Sequence, residues 1–329
     1  MSALQIREFG KASEVLEWEE NVTAARVLDE DEVRVKILAS PINPADLNWI
    51  EGTYGTRPVL PAVPGTEAVG EVVESRVPSL VVGTRVILLS YAHGWQQQRV
   101  LHRHEVLPVP KELSIFDAAM LKVNPATAWR MLHDFVNLPK GAVLVQNAAN
   151  SGVGRCVIQI ARACGWRTIN FVRNPETMTE LQELGADLVC TDDEEGKQRA
   201  LAYLNQHGER AMLAFNAVGG ESAMRQFDLM KDGGVQVTYG AMGRRPVSVP
   251  NQFLIFRDVC CRGFWLSRWL SQASAAEITV MYEKLMELIL MGGLKQPVDR
   301  MLPLSDFAYA LERLKASDCR GKVLFVPHA

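Results

Sequence analysis

The stretch Val143-Leu-Val-Gln-Asn-Ala-Ala-Asn-Ser-Gly-Val-Gly-Arg155 has residue types and spacing suited to holding a phosphate. Val143 to Gln146 read as a buried strand, and a turn of small residues follows. Val153 then opens a run in which Val153, Val157, Ile160, Ala161 and Cys164 recur at helical spacing, with Arg155, Gln159 and Arg162 on the other side. Strand, tight turn and helix bring free N–H groups and the positive end of a helix dipole to a pyrophosphate. The turn departs from the common Gly-x-Gly-x-x-Gly: Ala148 stands where the first glycine would be, while Gly152 and Gly154 remain. Ordinary strand-to-helix turns can carry the same glycines, so the neighbouring elements must decide.

The next strand, Thr168-Ile-Asn-Phe-Val172, ends in Arg173-Asn174-Pro175. An NAD enzyme usually has an acid there for the ribose 2′-OH. A carboxylate would repel a 2′-phosphate, whereas a guanidinium pairs with it bidentately, so the pattern favours NADPH. The alternative is a solvated surface arginine. Asn216-Ala-Val-Gly-Gly220 and Tyr239-Gly-Ala-Met242 fall at further strand ends, where ligands bind in open α/β sheets. Histidines 93, 102, 104, 133, 207 and 328 lack paired-ligand spacing, and His102 and His104 alternate on an expected strand, facing solvent. The six cysteines form no C-x-x-C; Cys156 and Cys164 read as packing residues, and a reducing, cytoplasmic setting fits.

The elements that must position these residues change in kind along the chain. Residues 1 to about 118 are β-rich: Glu32 to Leu38 alternates, and Thr66–Glu74 and Gly83–Ser90 are further strands. Ala118 to Val136 is expected to form one helix, with Pro125 near its start. Then strands at 143–147, 168–172, 187–190, 211–217, 234–239 and 259–266 alternate with helical patterns at 153–164, 176–184, 196–206 and 221–231. That alternation predicts a doubly wound parallel sheet. Helical patterns at 275–291 and 305–316 precede a last strand, Gly321 to Pro327, expected to return to the β-rich part. The fold class is therefore α/β in two domains: a discontinuous 1–118 plus 267–329, and a Rossmann domain at 119–266. The 329 residues are 48% hydrophobic and 22% charged, enough for a large core. A net charge of −3 without a basic block argues against nucleic acid, and no apolar run reaches the ~20 residues of a membrane helix. The N-terminal segment shows no signal-peptide core or transit composition.

With these motifs read, the chain resembles the medium-chain dehydrogenase/reductase superfamily, and within it the 2-enoyl thioester reductases of the mitochondrial enoyl-CoA/ACP type. The resemblance is carried by Asn43–Gly55, Val123–Leu132, Gln146–Gly154, Thr168–Arg173 and Arg262–Trp269. Related quinone reductases usually carry Gly-Ala-Ala-Gly-Gly-Val-Gly at the turn. The resemblance implies a GroES-like catalytic domain, a Rossmann domain and a cleft between them. It also implies a homodimer through strand 259–266. Zinc-dependent relatives read Gly-His-Glu where this chain has Gly65-Thr66-Glu67, and the four-cysteine lobe is missing, so no metal is expected.

By the same resemblance, NADPH reduces the C2=C3 double bond of an acyl thioester carried on CoA or on acyl carrier protein. Hydride goes to Cβ, and Tyr54 gives a proton to Cα. Asn124 would sit near the nicotinamide ribose, although Asn-Pro also suits a helix N-cap. Asn150, Ser151, Gly152 and Val153 would line the pyrophosphate turn, and Arg173, Asn174 and Pro175 the 2′-phosphate. Tyr239, Gly240, Ala241, Met242, Phe264, Trp265 and Leu266 would flank the nicotinamide, with Lys322 a last contact. Relatives place two basic residues at the 2′-phosphate, whereas this chain follows Arg173 with Asn174-Pro175-Glu176. Trp269 reads as packing. The rival readings are an NADPH:quinone reductase, which would not need Tyr54, and a non-catalytic NADPH-binding protein.

Overall fold

A computed structural model describes residues 1–20 and 26–329. The strands are β1 Ala3–Ile6, β2 Leu16–Glu19, β3 Glu32–Pro41, β4 Val69–Ser75, β5 Arg85–Leu88, β6 Gln98–His102, β7 Val106–Pro108, β8 Val143–Gln146, β9 Arg167–Val172, β10 Leu188–Thr191, β11 Ala211–Asn216, β12 Met230–Thr238, β13 Cys260–Gly263, β14 Val298–Leu302 and β15 Lys322–Phe325. The helices are α1 Ala12–Val15, α2 Pro44–Ile50, α3 Ile115–Ala119, α4 Asn124–Asp134, α5 Gly152–Ala163, α6 Met178–Glu183, α7 Glu194–Gln206, α8 Gly220–Leu229, α9 Asn251–Ile255, α10 Leu266–Gln272, α11 Ala275–Leu290 and α12 Phe307–Arg313. Met1–Val123 with Leu270–Ala329 make one compact unit, and Asn124–Trp269 the other.

The first unit is a GroES-like β domain. Its main sheet runs β14-β15-β3-β4-β5-β7, with β6 also on β3. The long strand β3 alternates buried and half-buried residues along its middle, so one face feeds a core of Val33, Val35, Ile37, Val72, Val86 and Leu101. The C-terminal strand β15 pairs antiparallel with β3 through Leu324–Pro41 and Phe325–Ser40.

The second unit is a parallel sheet in the order β10-β9-β8-β11-β12-β13. The order reverses beside β8, the switch point at which doubly wound sheets open a crevice. Three details differ from the sequence reading. The expected helix from Ala118 to Val136 is two helices, α3 and α4, broken at 120–123. A continuous helix would set the Pro125 ring against the carbonyl four residues back and lose that hydrogen bond. Arg155 and Gln159, assigned to the solvent side of α5, are buried at 7% and 6% exposure. Neighbouring side chains cover that side too: Arg155 Nη2 donates to Glu180 Oε2 at 2.9 Å and its Nε to Asn150 O at 3.0 Å. His102 and His104 are exposed and stacked, but His104 lies in a 3₁₀ turn at 103–105 rather than on the strand.

Candidate active site

In the parallel-sheet unit, the turn after β8 is fixed by its own backbone. Ala149 N donates to Phe171 O at 3.1 Å, and Ser151 N to Ala148 O at 2.9 Å. Ala148 takes φ +49°, so alanine holds the left-handed conformation that glycine would adopt freely. Such a residue costs of the order of 1–3 kcal/mol and persists only where its surroundings fix it. Ser151 caps α5, its side chain accepting from Gly154 N at 3.1 Å. Gly154 has no room for a side chain: a Cβ would stand 2.5 Å from Ala149 O. A Cβ on Gly152 would stand 2.8 Å from Asn124 Nδ2, so the buried Asn124, first residue of α4, lies directly on the turn.

Beneath the turn, Asn147 Nδ2 donates to Asn216 Oδ1 at 2.9 Å and to Ser222 Oγ at 2.8 Å, while its Oδ1 accepts from Ala217 N at 2.7 Å. This buried lattice joins the tips of β8 and β11 and is absent from the sequence reading; two asparagines at adjacent strand ends were the available signal. Among the described residues, the N–H groups of Gly152 and Val153 have no acceptor. The cradle therefore fits a dinucleotide pyrophosphate: close backbone approach, open donors and a twelve-residue helix behind them.

The remaining residues of this unit gather at the same carboxyl edge. Tyr239 follows β12, its N–H on Asn216 O at 3.0 Å and its hydroxyl buried, which pushes the phenol above its usual range. Gly240 lies against Ala217, and Met242 N donates to Ala217 O at 2.8 Å while Ala241 O accepts from Arg244 N. Phe264 hangs from Thr238 O after β13 and meets Phe135 edge-on at 6.2 Å; Trp265 precedes α10, where Leu266 is buried. Trp269 carries the Arg130 guanidinium 4.4 Å above its ring, a packing role.

Arg173 follows β9 and is exposed, with no ion pair or side-chain hydrogen bond among the described residues. Asn150 is also exposed. Asn174 is committed to its own turn, accepting from Glu176 N at 3.0 Å and donating to Glu176 Oε2 at 3.2 Å ahead of Pro175. Arg173 is then the cation available for a 2′-phosphate, and one charge-assisted contact is worth roughly tenfold in affinity. Arg173→Ala should raise the KM for NADPH about tenfold while leaving that for NADH unchanged; equal changes for both would show that Arg173 does not read the phosphate.

In the β unit, Tyr54 comes off the end of α2. Thr53 N and Tyr54 N both donate to Asn48 O, at 2.9 and 3.1 Å, and the half-buried ring packs on the core containing Trp49, Ile50 and Trp95. Asn43, Pro44 and Asp46 start that helix with a capping box. Asp46 is fully buried, accepting from Asn43 N at 2.7 Å and Thr66 N at 2.6 Å; burial pushes its carboxyl up to about 6. Glu67 is also buried, accepting from Asn43 Nδ2 and Val123 N, both at 2.8 Å. Burial raises its pKa, against Asn43, Lys322, the Val123 N–H and Lys122. Lys122 donates to Thr66 O at 2.7 Å and Ser90 O at 2.5 Å, and burial pushes its ammonium below the lysine range. Lys322, expected at the cofactor, donates to Asn43 Oδ1 within this network. Among the described residues no group of three or more His, Cys, Asp or Glu is arranged for a metal.

His93 is a buried titratable group in the same unit. It sits at φ +46° with Nδ1 on Val63 O at 2.6 Å, and burial, then Arg99, push it down to about 4. The unfolded chain binds a proton near pH 6.5 that the folded chain refuses until about 4. Stability is therefore full above 6.5 and falls as pH drops towards 4, by up to ~1.4 kcal/mol per unit. His93→Asn, which tolerates the left-handed backbone, should flatten that part of a urea-unfolding series against pH; an unchanged slope would contradict it.

The alcohol dehydrogenase GroES-like domain model matches residues 29–111, and the zinc-binding dehydrogenase model matches 152–284. The mitochondrial enoyl-[acyl-carrier-protein] reductase of Homo sapiens is 41% identical over 317 residues, 94% of this chain and 84% of that protein. The chain belongs to the enoyl-[acyl-carrier-protein] reductase family of medium-chain dehydrogenases/reductases. The family's solved Etr1p/NADP/crotonyl-CoA complex superposes with a TM-score of 0.89 at 27% identity, covering 99% of both chains. A putative NADPH:quinone reductase from Bacillus thuringiensis superposes with a TM-score of 0.90 at 27% identity, covering 99% of this chain and 98% of that one. The family's fold thus spans quinone-reductase relatives, and substrate class must be argued from the site.

Proposed function

We propose that this protein reduces the C2=C3 double bond of 2-enoyl thioesters with NADPH. The observation that carries the reading is the likeness, over nearly the whole chain, to a reductase solved with NADP and crotonyl-CoA, together with the open pyrophosphate cradle and the unpaired Arg173. NADPH, when bound, supplies the hydride to Cβ. The chain's own part is to hold the pyrophosphate on Asn150, Ser151, Gly152 and Val153 and the 2′-phosphate on Arg173 to Pro175. Asn124 and Tyr239 to Met242 would orient the nicotinamide end, with Phe264 to Leu266, and Lys322 would be a last cofactor contact. Charge grows on the thioester oxygen as Cβ is attacked, and Tyr54 gives its proton to Cα.

The test is direct. Purified protein mixed with NADPH and crotonyl-CoA should consume the nicotinamide absorbance. Activity towards quinones alone, unaffected by Tyr54→Phe, would instead favour the quinone-reductase reading that the Bacillus likeness keeps open. NADPH binding without turnover of either would leave a non-catalytic binder.

Homodimer assembly is part of the same proposal. The edge strand β13 exposes all four of its residues, and a two-fold copy could extend the sheet there. No helix among the described residues is long and apolar enough to cross a membrane. A cytoplasmic location rests on six unpaired cysteines, and the mitochondrial relatives set the alternative, which cell fractionation decides. Acyl carrier protein is the macromolecular partner this reading allows.

A further inference from the structure

Tyr91 lies in the loop after β5, and nothing in the proposed chemistry has used it. Its ring stacks on Trp49 at 4.8 Å and 15°, and lies 4.8 Å from the His93 ring. Trp49 belongs to α2, the helix from whose end Tyr54 hangs, and both tyrosine rings pack on the same core. The Tyr91 hydroxyl is buried and donates no hydrogen bond among the described residues. A buried O–H without an acceptor is costly, and such a group calls for an explanation. Tyr54 lies near enough for its charge to act on Tyr91. Tyr91 is pushed above the phenol range first by burial, then by Asp46 and Tyr54, with the Gly65 N–H easing it back. Tyr91 therefore keeps its proton through any working pH.

Resting on the reductase reading, we propose that Tyr91 is a positioning residue for Tyr54: its hydroxyl donates a hydrogen bond to the Tyr54 oxygen as that phenol gives its proton to Cα. The proton moves from Tyr54 Oη to Cα, the electron pair stays on Tyr54 as phenolate, Tyr91 retains its own hydrogen, and solvent later reprotonates Tyr54. A donor aimed at charge that appears only during reaction stabilises the transition state more than the ground state. The groups facing Tyr91 are Asp46 from α2, His93 and Arg99 from its own loop and β6, and Lys122 behind Thr66 and Ser90. Asp46 and His93 titrate on the acid side. Lys122 is common to every variant and cancels in differences between them.

Tyr91→Phe keeps the stacked ring and removes only the hydroxyl. It should lower kcat on crotonyl-CoA about tenfold with KM unchanged, and move the basic limb of the kcat profile up by about one pH unit, the equivalent of that tenfold change. The same loss should vanish in a Tyr54→Phe background. Ultraviolet difference titration needs no substrate: wild type minus Tyr54→Phe isolates the Tyr54 phenol, and Tyr91→Phe minus the double variant isolates it without its donor. The second should titrate about one unit higher. An unmoved titration, or a tenfold loss that persists without Tyr54, would overturn the proposal. Absence of crotonyl-CoA turnover in wild type would instead strike the reductase reading, and the titration would still decide the Tyr91–Tyr54 bond.

Discussion

Tyr54→Phe should cut enoyl reduction by about 10²–10⁴-fold, the usual range for a lost general acid, while NADPH still binds with wild-type affinity. The two halves of this expectation have separate origins. The pyrophosphate cradle is built on β8, α5 and Asn124, all in the parallel-sheet unit. Tyr54 is held in the β unit by Asn48 O and the core around Trp49. Phenylalanine fills the same core position, so the backbone hydrogen bonds of Thr53 and Tyr54 remain. Fluorescence titration with NADPH and steady-state rates on crotonyl-CoA separate binding from chemistry. Equal rates in variant and wild type would remove Tyr54 from the proton step; weakened NADPH binding would show that the substitution disturbed more than the phenol.

Glu67→Ala should cost the protein roughly 3–5 kcal/mol, because it leaves buried charge without its partner. Glu67 anchors Asn43 Nδ2 and Val123 N, and its carboxylate balances the ammonium groups of Lys122 and Lys322. Truncation orphans the Asn43 Nδ2 and Val123 N donors and leaves Lys122 and Lys322 without that carboxylate. Glu67→Gln keeps an acceptor for one donor and should cost less. Urea unfolding at neutral pH measures both. A loss below ~1 kcal/mol for alanine would mean that water enters and solvates the cluster, and that the network is not a stability element.

How much of this was legible in advance depends on the distance over which each feature is encoded. The alternation of strands and helices from Val143 onward follows local periodicity, and boundaries such as β9 at Arg167–Val172 lie within a residue of the pattern. The break between α3 and α4 was written in Pro125 but masked by apolar periodicity on both sides of it. The burial of Arg155 was not legible, because Glu180 lies 25 residues further on and only folding shows that the helix is covered there. The Lys322–Asn43 bond spans 279 residues, and no local pattern reports such a contact.

By itself, the sequence determined the short-range devices: a strand–turn–helix with Gly152 and Gly154 at its bend, a guanidinium rather than a carboxylate after β9, and a tyrosine between glycine and threonine neighbours after α2. Each depends on residue types within a few positions of one another. The tertiary structure alone decided that Asn43, Asp46, Glu67, Lys122 and Lys322 share one buried network and that Tyr91 stacks on Trp49, on the core that Tyr54 also covers. These contacts depend on which distant strands and loops are brought together, and on which charges burial then forces to pair.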